Sequence, residues 1–425
     1  MLRSIALTNF RAFKDTGDIP LNKINVFLGA NNAGKTSFAS AIEAYFRSLS
    51  SHGGVSPLRL DEMSSLTSFD AILRKHWSPR EARPTEFSMS YKFGTEKAIS
   101  RVTLKYRASE IDNTPVAHSI DYDLPKSRIS LSLKSSKGTL NYSLKVDSSS
   151  APARELFFSS LIPFPAAHER DEKLWNELPH QFMETPGFRR RLSLEVVNPS
   201  RPVPRSAYVL DDANLSKDDR DLLSYLVGVF GSSDPEDARV RGLIIQNLGT
   251  LGLATDFDVE TISKKTSARI VSLRVSPSNK RQKVSIADVG FGLSQVLPLV
   301  VKDARLNKGA LIAYQPEVHL HPRAQSRLAD IFVDSLARGN QVFVETHSPD
   351  LVLRLQLLIS TGKLAAKDLS VFCFENSGGA SKIEIVNFAD SGAPSMRWPA
   401  GFLDTSLSLA RELSGSRITS NQSRK

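Results

Sequence analysis

Gly29-Ala30-Asn31-Asn32-Ala33-Gly34-Lys35-Thr36-Ser37 decides how this chain is read. Its first eight residues fit G-x-x-x-x-G-K-[ST] at every fixed position, and the flanks supply the context that the pattern requires. Upstream, residues 24–28 form a short, mostly apolar run expected to be a strand. Downstream, Phe38, Ile42, Tyr45 and Phe46 recur at helical spacing, so residues 37–49 are expected to be a helix. Glycines in such a turn let successive backbone N–H groups face inward, and the helix N-terminus adds partial positive charge. Together they cradle a polyphosphate without specific side chains. Lys35 is placed to reach the outer phosphates and the Thr36 hydroxyl to coordinate Mg²⁺. The expected ligands are therefore ATP, held by residues 29–37, and Mg²⁺, held through Thr36.

Outward from this turn, the C-terminal third alternates strand and helix patterns: strands at 310–314, 341–345 and 369–375, helices at 323–335 and 349–358. That order indicates an α/β sheet with parallel strands. Residues 86–146 instead alternate apolar and polar side chains, as in Phe87-Ser88-Met89-Ser90-Tyr91-Lys92-Phe93, and predict an antiparallel lobe that closes at Ser148–Ser150. Residues 151–252 carry helix-like patterns broken at Pro163, Pro165, Pro186 and 199–204. Residues 268–275 and 283–286 return to strand. The expected fold class is α/β, a P-loop NTPase with a β-rich N-terminal lobe and a helical or mixed insertion. The expected division is 1–150 (P-loop and β lobe), 151–260 (helical insertion or arm), 261–410 (C-terminal part of the head) and 411–425 (a basic, disordered tail).

Composition narrows the classes further. Over 425 residues, 40% hydrophobic and 24% charged composition is that of an ordinary globular protein. The single cysteine, Cys373, excludes an intrachain disulfide framework and a Cys-rich zinc module. The longest apolar run, 296–301, contains Pro298 and falls far short of a membrane span, and the first ten residues alternate like a strand with no signal-peptide core. A soluble, cytoplasmic protein without membrane contact is expected. The net charge is +10. Residues 263–283 carry Lys264, Lys265, Arg269, Arg274, Lys280, Arg281 and Lys283 with no acid among them, and Arg189-Arg190-Arg191 with Arg201 and Arg205 form a second cluster. The first run is expected either to meet nucleic acid through its phosphates or to be a solvated hairpin edge. It has no interleaved aromatics, so base stacking is not indicated.

Three distal segments add a resemblance. Gly290-Phe291-Gly292-Leu293-Ser294-Gln295 precedes an apolar helix; Ala310-Leu311-Ile312-Ala313-Tyr314-Gln315-Pro316-Glu317-Val318-His319-Leu320-His321-Pro322 follows; Val342-Phe343-Val344-Glu345-Thr346-His347-Ser348 ends a strand. In this order after the P-loop, they resemble ABC-type ATPase heads of the SMC-like and OLD-like branch, including stand-alone ATPases of bacterial anti-phage systems. Leu7-Thr8-Asn9-Phe10-Arg11-Ala12-Phe13 is similar to that branch's first strand. Arg397-Trp398-Pro399-Ala400-Gly401-Phe402-Leu403-Asp404 resembles a terminal signature of one uncharacterised subgroup. The resemblance covers residues 1–50 and about 284–404.

What the resemblance implies is specific. Gly292, Leu293, Ser294 and Gln295 occupy the signature turn that docks on ATP held by the opposite subunit, so ATP would join two heads into a homodimer, with higher oligomers left open. Arg11 joins the nucleotide contacts, and His347 matches the switch histidine at the γ-phosphate. The strand before Pro316 normally ends in two acids, one holding Mg²⁺ through water and one orienting the attacking water. Here those positions are Tyr314 and Gln315. A phenol with a reference pKa of about 10 cannot act as a carboxylate at neutral pH. Glu317 is the nearest acid that could serve as base. The expected catalytic set is thus Gln315, Glu317 and His347, with slow hydrolysis of ATP to ADP and phosphate. His319 and His321 fall in the loop that crosses the dimer seam, and no cysteine or third histidine lies close in sequence to complete a zinc site.

The leading functional expectation is an ATP-gated dimer that regulates a partner effector, such as a nuclease, in anti-phage defence, since the chain shows no nuclease constellation of its own. Two alternatives stand beside it: a DNA-repair or DNA-binding ATPase of the SMC-like branch, and an ATP-dependent scaffold that never hydrolyses its nucleotide.

Overall fold

The computed structural model describes residues 1–50, 54–60, 63, 65–75, 82–135, 140–166, 173–185, 188, 192–201, 203–210, 217–265, 268–277, 282–377 and 380–398. The chain begins with β1 (Leu2–Phe10), β2 (Phe13–Asp15), β3 (Ile19–Pro20), the P-loop strand β4 (Ile24–Gly29), α1 (Lys35–Ser50) and the single turn α2 (Phe69–Ile72). An antiparallel run follows: β5 (Glu86–Gly94), β6 (Ile99–Ala108), β7 (Pro115–Asp123), β8 (Arg128–Ser135), β9 (Asn141–Val146), β10 (Ser149–Ser159) and β11 (Ile162–Pro165). Then come α3 (Lys173–Glu184), β12 (Leu194–Val197), β13 (Tyr208–Val209), α4 (Lys217–Gly231), α5 (Pro235–Thr250), β14 (Ala254–Lys265), β15 (Ala268–Pro277) and β16 (Val284–Ser285). The C-terminal part is α6 (Phe291–Arg305), β17 (Ala310–Tyr314), α7 (Pro322–Ala337), β18 (Gln341–Glu345), α8 (Pro349–Ser360), β19 (Leu369–Ser377) and β20 (Ala380–Val386).

The central sheet runs in the order β12-β17-β18-β4-β19-β20. All its pairings are parallel except the β19–β20 hairpin. Its strands read as near-continuous apolar runs because both faces are covered. On one face Phe27, Ile312, Phe343 and Phe372 join α1 and the antiparallel lobe in one core. On the other, Val26, Leu311, Val344 and Val371 pack with α5 to α8 in a second core. The alternation assigns Tyr314, an odd step from Ala313, to the α1 face.

Two boundaries differ from the sequence expectation. The lobe does not close at Ser148–Ser150, because Asp147 takes a left-handed corner (φ 49°) and β10 pairs back onto β9, extending the sheet to β11. Residues 149–159 lack a clean two-residue alternation, so pattern alone does not show them as strand. The insertion is also less helical than its pattern suggests. β12 leaves it to become the edge of the central sheet beside β17, and β14 pairs with β15 along its length across the expected 260/261 division. The terminal segments 399–404 and 411–425 lie outside the described residues.

The helical face is pinned by one buried ion pair. Asp303 on α6 is fully buried and accepts from the Arg338 guanidinium (2.6 Å) at the end of α7 and from Asn247 Nδ2 (3.1 Å) on α5. Burial pushes its carboxyl up, against the pull of Arg338. Removing one partner leaves an uncompensated buried charge, so Arg338→Met should cost about 3–5 kcal/mol in thermal or denaturant unfolding. A loss below about 1 kcal/mol would place the pair among weak surface interactions instead.

Candidate functional site

The P-loop is shaped by close backbone packing. Gly29 has φ 141°, and a Cβ there would lie 2.3 Å from the carbonyl oxygen of Phe374 on β19; Gly34, at φ 104°, would meet Ser381 Oγ at 2.7 Å. Only glycine fits either place. Asn32 takes the left-handed corner between them (φ 61°). Lys35 Nζ is buried over the loop and donates to Gly29 O (2.9 Å) and Ala30 O (2.8 Å), contacts that phosphate oxygens can take over. Burial lowers its pKa and Glu345 opposes that shift. Ser37 follows Thr36 in the first turn of α1, whose N–H groups lack intrahelical partners. Arg11, at φ 48°, donates to Ser65 O (3.2 Å) and lines a hollow with Asn32, at the tip of the P-loop.

The parallel strands bring the distal residues to the same edge. Thr36, Ser40, Glu43, Tyr314, Gln315, Glu345 and Asn198 line a cleft of about 330 Å³. Tyr314 is buried there and donates to Glu43 Oε2 (2.8 Å), while Arg47 holds the other oxygen of Glu43 at 2.7 Å. Burial and the Glu43 charge push the phenol further up, so it stays protonated. Gln315 takes a left-handed corner (φ 46°), with its N–H donating to Glu345 O (2.7 Å). The acidic positions are thus filled by a locked phenol and a neutral amide at the turn.

Three further groups complete this edge. Glu317 is buried; its Oε1 accepts the backbone N–H of His347 (2.7 Å), and its Oε2 has no hydrogen-bond partner. His347 is exposed, yet partial desolvation and the charge of Lys35 lower its pKa against the pull of Glu317, which keeps it neutral at pH 7 beside the P-loop. Glu345, the last residue of β18, accepts the Thr36 hydroxyl at 2.9 Å. Nothing in the sequence pattern singled out Glu345. The signal available was its place two residues before His347, directly after the apolar run Val342-Phe343-Val344.

Arg201 is the second residue that sequence reading misplaced. Its side chain turns inward to the carboxyl edge of the sheet rather than out to solvent. Its guanidinium donates to the carbonyls of Gln295 (2.7 Å) and Gln315 (3.1 Å), and burial pushes its pKa down to about 10 against the pull of Glu317. It arrives there because β12 ends level with β17 and hands the chain on at the carboxyl edge of the sheet. The signature turn begins α6. A Cβ on Gly292 would sit 2.6 Å from His319 O, and Phe291 meets the His319 ring edge-on at 5.0 Å. Ser294 Oγ donates to Phe291 O (2.7 Å). Leu293 and Gln295 are buried, so of the expected signature contacts Gly292 and Ser294 reach the surface and the Gln295 side chain does not.

The basic run at 263–283 is also changed by pairing. Arg274 faces Asp258 across the hairpin and bridges Glu260 at 3.4 Å, while Lys283 bridges Asp256 (2.9 Å) and Asp258 (3.2 Å). The acids come from β14, so a stretch free of acid in sequence is not free of it in space. Arg269 is exposed; Lys280, Arg281, Arg189, Arg190 and Arg191 and the side chains of Lys264 and Lys265 lie outside the described residues. Among the described residues no group of three or more His, Cys, Asp or Glu side chains could hold a metal, which leaves His319 and His321 without a third ligand. No helix of the described residues is long and apolar enough to cross a membrane.

Because a methyl at residue 29 collides with backbone, Gly29→Ala should lower fluorescent ATP-analogue affinity at least as far as Lys35→Ala. About tenfold or more is expected for each, read by fluorescence titration. Unaltered affinity in both would remove the P-loop from the nucleotide site.

The family model described as "AAA domain, putative AbiEii toxin, Type IV TA system" matches residues 24–354. No curated protein sequence matches the chain. Among solved structures it is similar to the SMC head bound to the C-winged helix domain of ScpA, with TM-score 0.49, 11% identity, and coverage of 91% of this chain and 98% of that one. It is similar as well to the SMC head domain from Thermotoga maritima (TM-score 0.45, 10% identity, 90% and 98% coverage). A third is the Smc head domain with an extended coiled coil bound to the C-terminal domain of ScpA derived from Pyrococcus furiosus (TM-score 0.43, 12% identity, 97% and 99% coverage). With a P-loop on a parallel sheet and a family match over most of its length, the chain belongs to this AAA-domain family of P-loop ATPases.

Proposed function

We propose that this ATPase is an ATP-gated switch: two heads close around ATP, each offering its Gly292–Ser294 turn to the nucleotide on the other, and the closed pair controls a partner effector. One observation carries the reading. The P-loop side of the site is complete, whereas the end of β17 offers a phenol tied to Glu43 and an amide at a left-handed corner in place of two acids. A site of this kind binds ATP well and turns it over slowly, because no carboxylate at residue 315 orients the attacking water. Mg²⁺, where bound, neutralises charge on the β- and γ-phosphates. The Thr36 hydroxyl fits that role, since it lies at the cleft against a buried carboxylate with an unpartnered oxygen. Lys35 supplies fixed positive charge, His347 offers a neutral imidazole at the outer phosphate, and Glu317 orients His347 through its backbone.

The loop 315–321 supports the coupling of nucleotide state to the dimer face. At one end Glu317 holds His347; at the other His319 touches Phe291 and Gly292 of the signature turn. Arg201 ties the same two regions through Gln315 and Gln295. A shift at the outer phosphate is therefore passed to the face that would meet a second head. The resemblance to anti-phage ATPases supports an effector partner, of which a nuclease is the leading candidate. The DNA-binding alternative is weaker, because Arg274 and Lys283 are already paired with acids.

Gln315→Glu should raise ATP hydrolysis by on the order of 10²-fold in a phosphate-release assay; no gain would favour the scaffold that never hydrolyses. Ser294→Arg should leave each head's ATP-analogue affinity unchanged and abolish the ATP-induced rise in light scattering. A normal rise would rule out the signature turn as dimer contact.

A further inference from the structure

We propose that Glu345 supplies the carboxylate that holds the nucleotide's Mg²⁺, so that the metal-positioning acid of this head has moved from the end of β17 to the end of the neighbouring strand. The inference rests on the nucleotide-binding reading and deepens it. Tyr314 and Glu345 are direct register partners in the parallel β17–β18 pair. Both lie on the face toward α1, about 4.8 Å apart as neighbouring strands require. β18 lies between β17 and the P-loop strand β4, so a carboxylate on β18 is one strand nearer to Thr36. The contact is made: Thr36 Oγ1 donates to Glu345 Oε1 at 2.9 Å. The side chain is 95% buried, since Glu345 keeps 5% of its exposure, yet it lines the cleft and its Oε2 has no hydrogen-bond partner. A buried carboxylate oxygen without a donor is costly unless a cation or donor joins it.

The other acids near the cleft are committed differently. Glu43 is taken by Arg47 and by the Tyr314 hydroxyl. Glu317 also keeps an oxygen without a hydrogen-bond partner, but its other oxygen accepts the His347 N–H, it faces the charge of Arg201, and it neither bonds Thr36 nor lines the cleft. Tyr314 fills the space beside Glu345, where its hydroxyl is held by Glu43 and cannot compete for the metal. One hydroxyl and one carboxylate are too few to bind Mg²⁺ alone, which agrees with the lack of a three-ligand cluster among the described residues. Mg²⁺ commonly takes one or two carboxylates together with substrate phosphates and waters. The site is therefore expected to bind metal only together with ATP.

The test compares wild type with Glu345→Gln, which keeps the acceptor for Thr36 but removes the charge. Fluorescent ATP-analogue affinity is measured with Mg²⁺ and with EDTA, and Mn²⁺ binding in the presence of ATP is followed by electron paramagnetic resonance. Wild type should bind more tightly with Mg²⁺. Glu345→Gln should keep the affinity seen in EDTA and lose about tenfold or more of the metal-dependent gain, with a matching loss of bound Mn²⁺. If that variant does not fold, Glu345→Asp, which withdraws the carboxylate by one methylene, should weaken the gain in the same direction. A full Mg²⁺ gain in the substituted protein, or a wild type with ATP affinity indifferent to Mg²⁺, overturns the proposal. So does loss of the gain in Glu317→Gln with retention in Glu345→Gln. A wild type that binds no ATP analogue under either condition overturns the nucleotide site itself and is distinguished from these by its EDTA arm.

Discussion

Parallel pairing of β17 with β18, and of β18 with β4, is the constraint on which the site depends. Parallel strands must all end at the same edge of the sheet, and every connection between them must cross back over a face. Thr36, Tyr314, Gln315, Glu345 and His347, drawn from opposite ends of the chain, meet because the strands that precede them terminate at one level. The register Tyr314↔Glu345 places the two side chains side by side. The same rule brings Arg201 to the cleft, because β12 is parallel to β17 and ends beside it. Ligand sites of open α/β sheets lie at this carboxyl edge for the same reason.

Electrostatics then divides the labour among three carboxylates in a small, poorly solvated space. Charges in such a place must be paired or carry a strong penalty. Glu43 is neutralised by Arg47 and capped by a phenol, so it forms a wall of the cleft. Glu317 accepts the backbone N–H of His347 through one oxygen. Glu345 is bonded to Thr36 and lies in the field of Lys35, with burial raising its pKa against both. Lys35 and Arg201 lose affinity for protons through burial, so the positive groups of the site are held under desolvation and gain most from an anionic ligand, while the same effect keeps His347 neutral.

Much of the frame was legible because its signals are local. The P-loop, the strands at 24–28, 310–314 and 341–345, and the helices after them follow from glycine placement, apolar runs and helical spacing. The departure at Tyr314 and Gln315 is equally visible once the strand before Pro316 is aligned. The lobe reads as closing at Ser148–Ser150, with the insertion from 151 onward, because the alternation within residues 149–159 is weak; β12 is hidden among prolines. The basic run at 263–283 looked unopposed because the opposing acids are on the other strand of a hairpin.

By itself, then, the sequence determined that a phosphate-binding turn sits on a parallel α/β sheet, and that the usual acids are missing from one strand of it. Backbone preference, side-chain periodicity and the steric freedom of glycine act over a few residues, so they can be read along the chain. Only the tertiary structure decided that Glu345 stands against Thr36, that Arg201 bridges Gln295 and Gln315, and that Arg274 and Lys283 are already paired. Those contacts arise from strand register and crossover between residues far apart in the chain. No local pattern encodes which strand will lie beside which.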